Sequence, residues 1–206
     1  MSSWLYSDTV KDHFMNPRNI MLDNEDFVFD AKGKTGNIKC GDEMIFYLKI
    51  DPETLTITDC RWKTFGCASA IASTSVLSEM IKGMSLDNAY NISNVDIMKE
   101  LGGLPDNKVH CSVLGDKALQ EAIDNYYRNN GMNDKVHDTA SRIVCECLKV
   151  TEEEIEHAVL EGVRNYYQLQ EMTKAGTSCG KCEEDAKERL AFYLDKHFGI
   201  KEIRKY

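Results

Sequence analysis

Residues 143–182 run IVCECLKVTEEEIEHAVLEGVRNYYQLQEMTKAGTSCGKC. The stretch sets a C-x-C pair, Cys145 and Cys147, against a C-x-x-C pair, Cys179 and Cys182, with 31 residues of largely helical pattern (148 to 178) between them. Four thiols converging from two loops make a four-cysteine site. Close pairs chelate well, because the second ligand costs little further chain entropy once the first is bound. A segment of about 60 residues has too small a core to be comfortable alone, so a metal staple suits it. Ligand chemistry by itself leaves zinc and an iron–sulfur cluster about equally open, since structural zinc sites commonly use such cysteine pairs. The C-x-C is tighter than most zinc knuckles and tilts slightly towards a cluster.

Outside this stretch the composition sets limits. A chain of 206 residues suits one or two domains, and 42% hydrophobic with 29% charged residues marks it as globular. Lys and Arg number 25 against 34 Asp and Glu, a net charge of −9. That sign argues against nucleic acid or an anionic membrane as the main partner. The opening MSSWLYSDTV has no basic region ahead of an apolar run, and no segment approaches the roughly 18 apolar residues of a membrane span. A reducing, cytoplasmic setting is therefore expected, where the eight cysteines stay free, bind metal or react. C-x-C and C-x-x-C pairs then point to metal ligation.

In chain order, Ser7 is placed to cap a helix to about Met15 with Val10 and Phe14 inward, and Asn16-Pro17 ends it. Residues 23–30 suggest an acidic connection, and Gly33 with Gly36 a mobile loop leading to Cys40-Gly41-Asp42. Met44, Phe46, Leu48 and Ile50 alternate with more polar residues, and a second strand runs from Leu55 to about Lys63 after the Asp51-Pro52 turn. Cys67 stands where strand gives way to a helix that Gly83 stops. Short helices follow from Ser85 and from the Ser93-x-x-Asp96 capping box. Cys111 then opens a helix carrying Leu114, Ala118, Leu119, Ala122, Ile123 and Tyr126, which ends at Gly131. Periodicity is lost over 132–141. Thr151 caps the next helix, with Ile155 and Val159 inward, another covers about Asn165–Lys174, and the last starts at the C-x-x-C.

Cys40, Cys67 and Cys111 all fall at loops or helix starts. A helix dipole at Cys67 and Cys111 is expected to lower their thiol pKa from its usual value of about 8.5. Lys108 and protonated His110 would push Cys111 the same way. Asp42 adds a hard oxygen, easier to exchange than thiolate. Spacing alone leaves a labile site of three thiolates and a carboxylate level with a second possibility, scattered buried thiols. Cys60, inside a strand among packing residues, is expected to be such a buried thiol.

The motifs carry a resemblance. Ile143 to Cys147 with Thr173-Lys174-Ala175-Gly176-Thr177-Ser178-Cys179-Gly180-Lys181-Cys182 resembles the bacterioferritin-associated-ferredoxin type of [2Fe-2S] domain. This implies a permanent [2Fe-2S] cluster on Cys145, Cys147, Cys179 and Cys182. Upstream, Tyr6-Ser7, Asp12-His13-Phe14, Asn16-Pro17-Arg18-Asn19, Cys40-Gly41-Asp42, Thr64 to Ser73 and Lys108-Val109-His110-Cys111-Ser112 closely resemble the IscU/NifU scaffold family, over about residues 4–130. The two domains in this order are the arrangement of the NifU branch, associated with nitrogen fixation.

The resemblance implies an α+β chain. A scaffold domain over 1–131 has a small antiparallel sheet packed by helices, a linker spans 132–141, and a small all-α [2Fe-2S] domain covers 142–206. Cys40, Asp42, Cys67 and Cys111 would hold iron or a transient [2Fe-2S] or [4Fe-4S] cluster, with Asp42 tuning release. Cys111 would be the main persulfide acceptor, assisted by Lys108 and His110, the latter also a transient ligand. The implied partners are a PLP-dependent cysteine desulfurase of the NifS/IscS type, apo iron–sulfur proteins, an electron donor and a second copy in a homodimer. The expected activity is that of a scaffold and not of a turnover enzyme, and zinc in the upstream site would be adventitious. The alternatives are a [2Fe-2S] electron carrier and a zinc-binding regulator of a desulfurase. Two departures stand out. Leu104-Pro105-Asp106-Asn107-Lys108 lacks the family's second proline, so the family's chaperone contact is not carried over. The branch's further C-x-x-C domain is not among these 206 residues.

Overall fold

The computed structural model describes residues 6–37, 41–105, 108–137 and 142–201. The chain forms two compact units, Met1–His137 and Asp138–Tyr206.

The first unit is a three-stranded antiparallel sheet in the order β1-β2-β3 packed by helices. Helix α1 (Asp8–Met15) begins where Ser7 Oγ accepts the Val10 N–H at 3.1 Å. Strand β2 (Asp42–Asp51) buries Met44, Phe46, Leu48 and Ile50, and β3 (Thr56–Phe65) buries Ile57, Cys60 and Trp62. Ile57 and Cys60 lie three residues apart, which strict alternation forbids on one face. A register shift between Lys49 and Ile50 pairs Leu48 with Cys60 yet Ile50 with Ile57, so the bulge restores the inward direction.

The stretch expected as a mobile loop is in part a strand, β1 (Ala31–Asn37), paired antiparallel with β2 from Ala31–Leu48 to Asn37–Asp42. Its glycines hid it, since glycine weakens a strand pattern. Gly33 has a packing reason to be there. A Cβ on it would overlap Ala118 O and Ala122 N, so its absence lets the strand lie directly on a helix backbone.

That helix is α5 (Val109–Asn129), 21 residues long, with Cys111, Ala118, Leu119 and Ala122 buried. Helix α2 (Ala68–Met80) is buried nearly all round although serine-rich. Two of its hydroxyls bond within the helix, Thr74 donating to Ala70 O and Ser78 to Ser75 O, both at 2.7 Å, while Ser69 donates to the Tyr6 hydroxyl and Ser75 accepts the Arg18 N–H. Short helices α3 (Leu86–Tyr90) and α4 (Asn94–Glu100) carry the expected Ser85 cap and Ser93/Asp96 capping box. Of the stretch expected as linker, residues 133–135 form a 3-10 turn. His137 stacks on Tyr90 with ring centroids 3.5 Å apart and its Nδ1 lies 3.0 Å from the buried Asp124 carboxylate, which ties it to this unit.

In the second unit a two-stranded ribbon, β4 (Ile143–Cys145) with β5 (Val150–Thr151), precedes three helices, an addition to the all-α arrangement expected. A capping box of Thr151 and Glu154 starts α6 (Glu152–Leu160). Helix α7 (Tyr166–Thr173) ends at Lys174 in the left-handed region, and α8 (Glu183–Phe198) follows the C-x-x-C. Their shared core contains Ile155, Val159, Leu169, Ala186, Leu190 and Leu194. Among the described residues, no helix is long and apolar enough to cross a membrane.

Candidate metal centres

Upstream, three elements bring donors together. Asp42 is the first residue of β2 and buried, Cys67 is the N-cap of α2, and His110 and Cys111 lie in the first turn of α5. Cys67 Sγ stands 3.3 Å from Cys111 Sγ, which in turn lies 3.9 Å from Asp42 Oδ2. Ligand atoms of Asp42, His110 and Cys111 all fall within 4.8 Å of one another, close enough to share an ion. Cys67 joins this group through Cys111. Cys40, the third expected thiol, lies outside the described residues. Lys108 is the N-cap of α5, and its charge weakly favours the Cys111 thiolate.

The two thiols form a hydrogen-bonded pair, and the directions of their pKa shifts depart from expectation. Cys67 is lowered to about 5, first by the hydrogen bond from Cys111 and then, against its partial burial, by the N–H groups of Ala70 and Ser69 at the start of α2. Cys111, expected to be lowered, is instead driven up: that same hydrogen bond, then burial, then the negative charges of Cys67 and Asp42 outweigh Lys108. Two acidic groups in contact titrate as a pair, and the better-solvated one, with more donors around it, takes the charge. The dipole expectation holds at Cys67, where backbone N–H groups reach the sulfur. Cys60 is the buried thiol expected, donating to Ser78 O at 3.3 Å and pushed up to about 12 by burial.

Downstream, Cys145 ends β4 and is buried, Cys147 is exposed in the turn after it, Cys179 is exposed in the loop after α7, and Cys182 caps α8. Every described cysteine is a free thiol. Cys147 Sγ lies 3.7 Å from Cys145 Sγ and 3.6 Å from Cys179 Sγ. For metal–sulfur bonds of about 2.3 Å in tetrahedral geometry, two sulfurs on one metal stand ~3.8 Å apart. The thiols therefore already hold spacings at which they could share a metal. Among the described residues, no three of them lie mutually within 4.8 Å, so the approach is pairwise. Cys147 is lowered to about 7, first by the Cys179 backbone N–H and then by the Cys179 and Cys145 thiols. Cys182 is raised, first by burial and then by its hydrogen bond with Cys145, against the donating N–H of Gly176. The residues fit a resident [2Fe-2S] group: an all-sulfur donor set, two thiols facing solvent and two facing the core.

Gly176, expected as the stop of the helix over about 165–174, has a packing role besides. It has φ 75°, and a Cβ there would overlap the Tyr166 hydroxyl. Only its position just past a helix end hinted at the left-handed turn.

The chain belongs to the NifU-like N terminal domain family, which matches residues 5–133, and it carries a BFD-like [2Fe-2S] binding domain over residues 143–191. The nitrogen fixation protein NifU of Trichormus azollae is 43% identical over 185 residues, covering 87% of this chain and 61% of its own length. The iron-sulfur cluster assembly scaffold protein IscU of Aquifex aeolicus is 43% identical over 160 residues, covering 77% of this chain and 96% of its own. A solved N-terminal NifU-like protein from Brucella abortus shares the fold at TM-score 0.50 and 20% identity, over 60% of this chain and 95% of that one. The chain spans about three fifths of the length of the NifU relatives it matches.

Proposed function

We propose that the first unit is a scaffold on which an iron–sulfur cluster is built as cargo, and that the second holds a [2Fe-2S] cluster as a resident electron store. The observation that carries the first part is the meeting of Asp42, His110 and Cys111 within 4.8 Å of one another, with Cys67 Sγ 3.3 Å from Cys111 Sγ. Two sulfurs, an oxygen and an imidazole are a mixed donor set. Carboxylate and imidazole hold iron less tenaciously than thiolate, so such a site favours release over retention. Zinc taken up there from buffer would be adventitious on this reading.

Sulfur would arrive as a persulfide from a PLP-dependent cysteine desulfurase. Cys111 attacks the outer sulfur, the desulfurase leaves as its own thiolate, and the Cys111 proton passes to Cys67, 3.3 Å away. Cys111 then carries the persulfide, while Cys40, Cys67, Asp42 and transiently His110 supply iron ligands. Lys108 offsets the negative charge gathered there. The chain turns over no substrate of its own in this scheme. The free thiols suit a reducing compartment such as the cytoplasm, and a homodimer is carried over from the family.

For the second unit the pairwise approach of the thiols favours two metals over one, because a single tetrahedral ion needs every sulfur pair at one edge length. The bound group would supply one-electron transfer, and Cys145, Cys147, Cys179 and Cys182 would hold it.

Reduction of the persulfide sulfur to sulfide takes two electrons from a donor, so anaerobic reconstitution with ferrous iron, cysteine, a desulfurase and a thiol reductant tests this. Cluster should grow beyond the as-isolated content and pass to an apo-ferredoxin. If alanine at Cys67 or Cys111 left both steps unchanged, the chain would be an electron carrier instead.

A further inference from the structure

Cys67 and Cys111, 44 positions apart, are brought together by packing alone. Cys67 caps α2, Cys111 lies in the first turn of α5, and the two helices pack against each other. Their sulfurs stand 3.3 Å apart, against 3.6 and 3.7 Å for the downstream contacts of Cys147. A disulfide has an S–S length of about 2.05 Å, so bond formation would draw these two sulfurs together by little more than ~1 Å. Access to the pair is unequal. Cys67 is half-buried and Cys111 is fully enclosed, so an oxidant arriving from solvent meets Cys67 first. Cys60, the other described thiol of this unit, is buried in β3 with its S–H on Ser78 O. Cysteines that respond to oxidants are reachable from solvent and stand beside a second thiol that resolves the first product.

We propose that Cys67 and Cys111 form a reversible disulfide before iron is loaded, with Cys67 taking the oxidant, a hydroperoxide, and Cys111 resolving it. The Cys67 sulfur attacks the O–O bond, which breaks. A hydroxyl stays on the sulfur as sulfenic acid, and the thiol proton leaves with the second oxygen as water or an alcohol. The Cys111 sulfur, already 3.3 Å away, then displaces that hydroxyl. The S–S bond forms, the S–O bond breaks, and the Cys111 proton departs with the hydroxyl as water. Two electrons have passed from the thiol pair to the hydroperoxide, and a small dithiol returns them. The pair thereby stops Cys67 at a recoverable stage, short of the irreversible sulfinic acid. While the bond is closed, neither sulfur can hold iron or carry a persulfide, so oxidation closes the site without destroying it. That consequence rests on the proposal that the first unit is a scaffold; the bond itself does not.

The test treats the full chain, after removal of labile iron with a mild chelator, with stoichiometric hydrogen peroxide. Mass spectrometry of non-reduced peptides then maps the cysteines. The expected product is a cross-linked pair of peptides carrying Cys67 and Cys111, lighter by two hydrogens, which dithiothreitol separates. Cluster assembly on the first unit should fall to background as the cross-link forms and return when it is reduced. Cys111→Ser should leave Cys67 without its resolving thiol and drive it to sulfinic acid, which dithiothreitol does not reverse. Should that variant lose its fold, the map of the unaltered chain carries the test. Cys67 found there as sulfinic acid beside an unmodified Cys111, or linked to Cys40 instead, overturns the inference. A cross-link that forms and opens as expected, in a chain whose reduced form assembles no cluster, upholds the disulfide and overturns the scaffold reading.

Discussion

The two donor sets differ in what surrounds them. Upstream, a carboxylate, an imidazole and two thiols are carried by β2, α2 and α5, elements that belong to the large core of the first unit. Downstream, four thiols lie on the ribbon and on the loop before α8, next to a much smaller core. The larger core is built from many more apolar side chains, and its site offers mixed, exchangeable ligands. The smaller one gains stability from an all-sulfur staple. That difference is the basis of the proposal that the first site releases its cargo and the second retains its cluster.

The contrast between the two sites is open to direct measurement. The largest effect belongs to ligand removal. Cys145→Ser should bleach the as-isolated visible spectrum, whereas Cys111→Ala should leave the spectrum and reduce cluster assembly and transfer to background. A reversal of the two outcomes would end the division of labour. Next comes core truncation. Leu190→Ala and Leu119→Ala remove equal buried side chains from the two units, at about 2–5 kcal/mol each. With metal stripped, the Leu190 variant should lose the helical circular dichroism of the second unit, and the Leu119 variant should still show a cooperative urea transition. Gly33→Val should cost the first unit about 1–3 kcal/mol by forcing β1 off α5, read as a lowered urea midpoint at unchanged cluster absorbance.

Thiol titration gives a smaller, more selective signal. A lowered pKa means that the thiolate persists above that value and is lost as the pH falls through it. Alkylation of the metal-free chain should therefore fade near pH 5 at Cys67 and near pH 7 at Cys147, read by peptide mass spectrometry. Cys111→Ala removes the hydrogen bond that dominates the Cys67 shift, so the Cys67 midpoint should move up. The smallest effect is at the caps. Ser93→Ala and Thr151→Ala break equivalent capping boxes at about 1 kcal/mol each. Thermal melts should show the Thr151 loss when metal is absent and little of it when metal ties the adjacent ribbon.

Much of this was legible in the chain itself. The C-x-C and C-x-x-C pairs, the two capping boxes, the alternation of Met44 to Ile50 and the glycine stops are local signals, each carried by a few neighbouring residues. Strand β1 was not legible. Ala31 to Asn37 contains two glycines and no large apolar residue, and only the closeness of Gly33 to α5 explains why that is an advantage. The bulge at Thr58 of β3 was hidden for a related reason, since strand register depends on both partners.

The sequence pattern alone singled out Cys145, Cys147, Cys179 and Cys182, because ligand type and close spacing are properties of adjacent positions, whereas the widely separated upstream set rested on the family resemblance. Tertiary structure decided which thiol of the upstream pair bears the charge. It also decided that Asp42 and His110 stand beside Cys111, and that the Tyr166 hydroxyl lies against Gly176. Those outcomes depend on burial and on hydrogen bonds between residues up to 69 positions apart, and both arise only when separate elements pack.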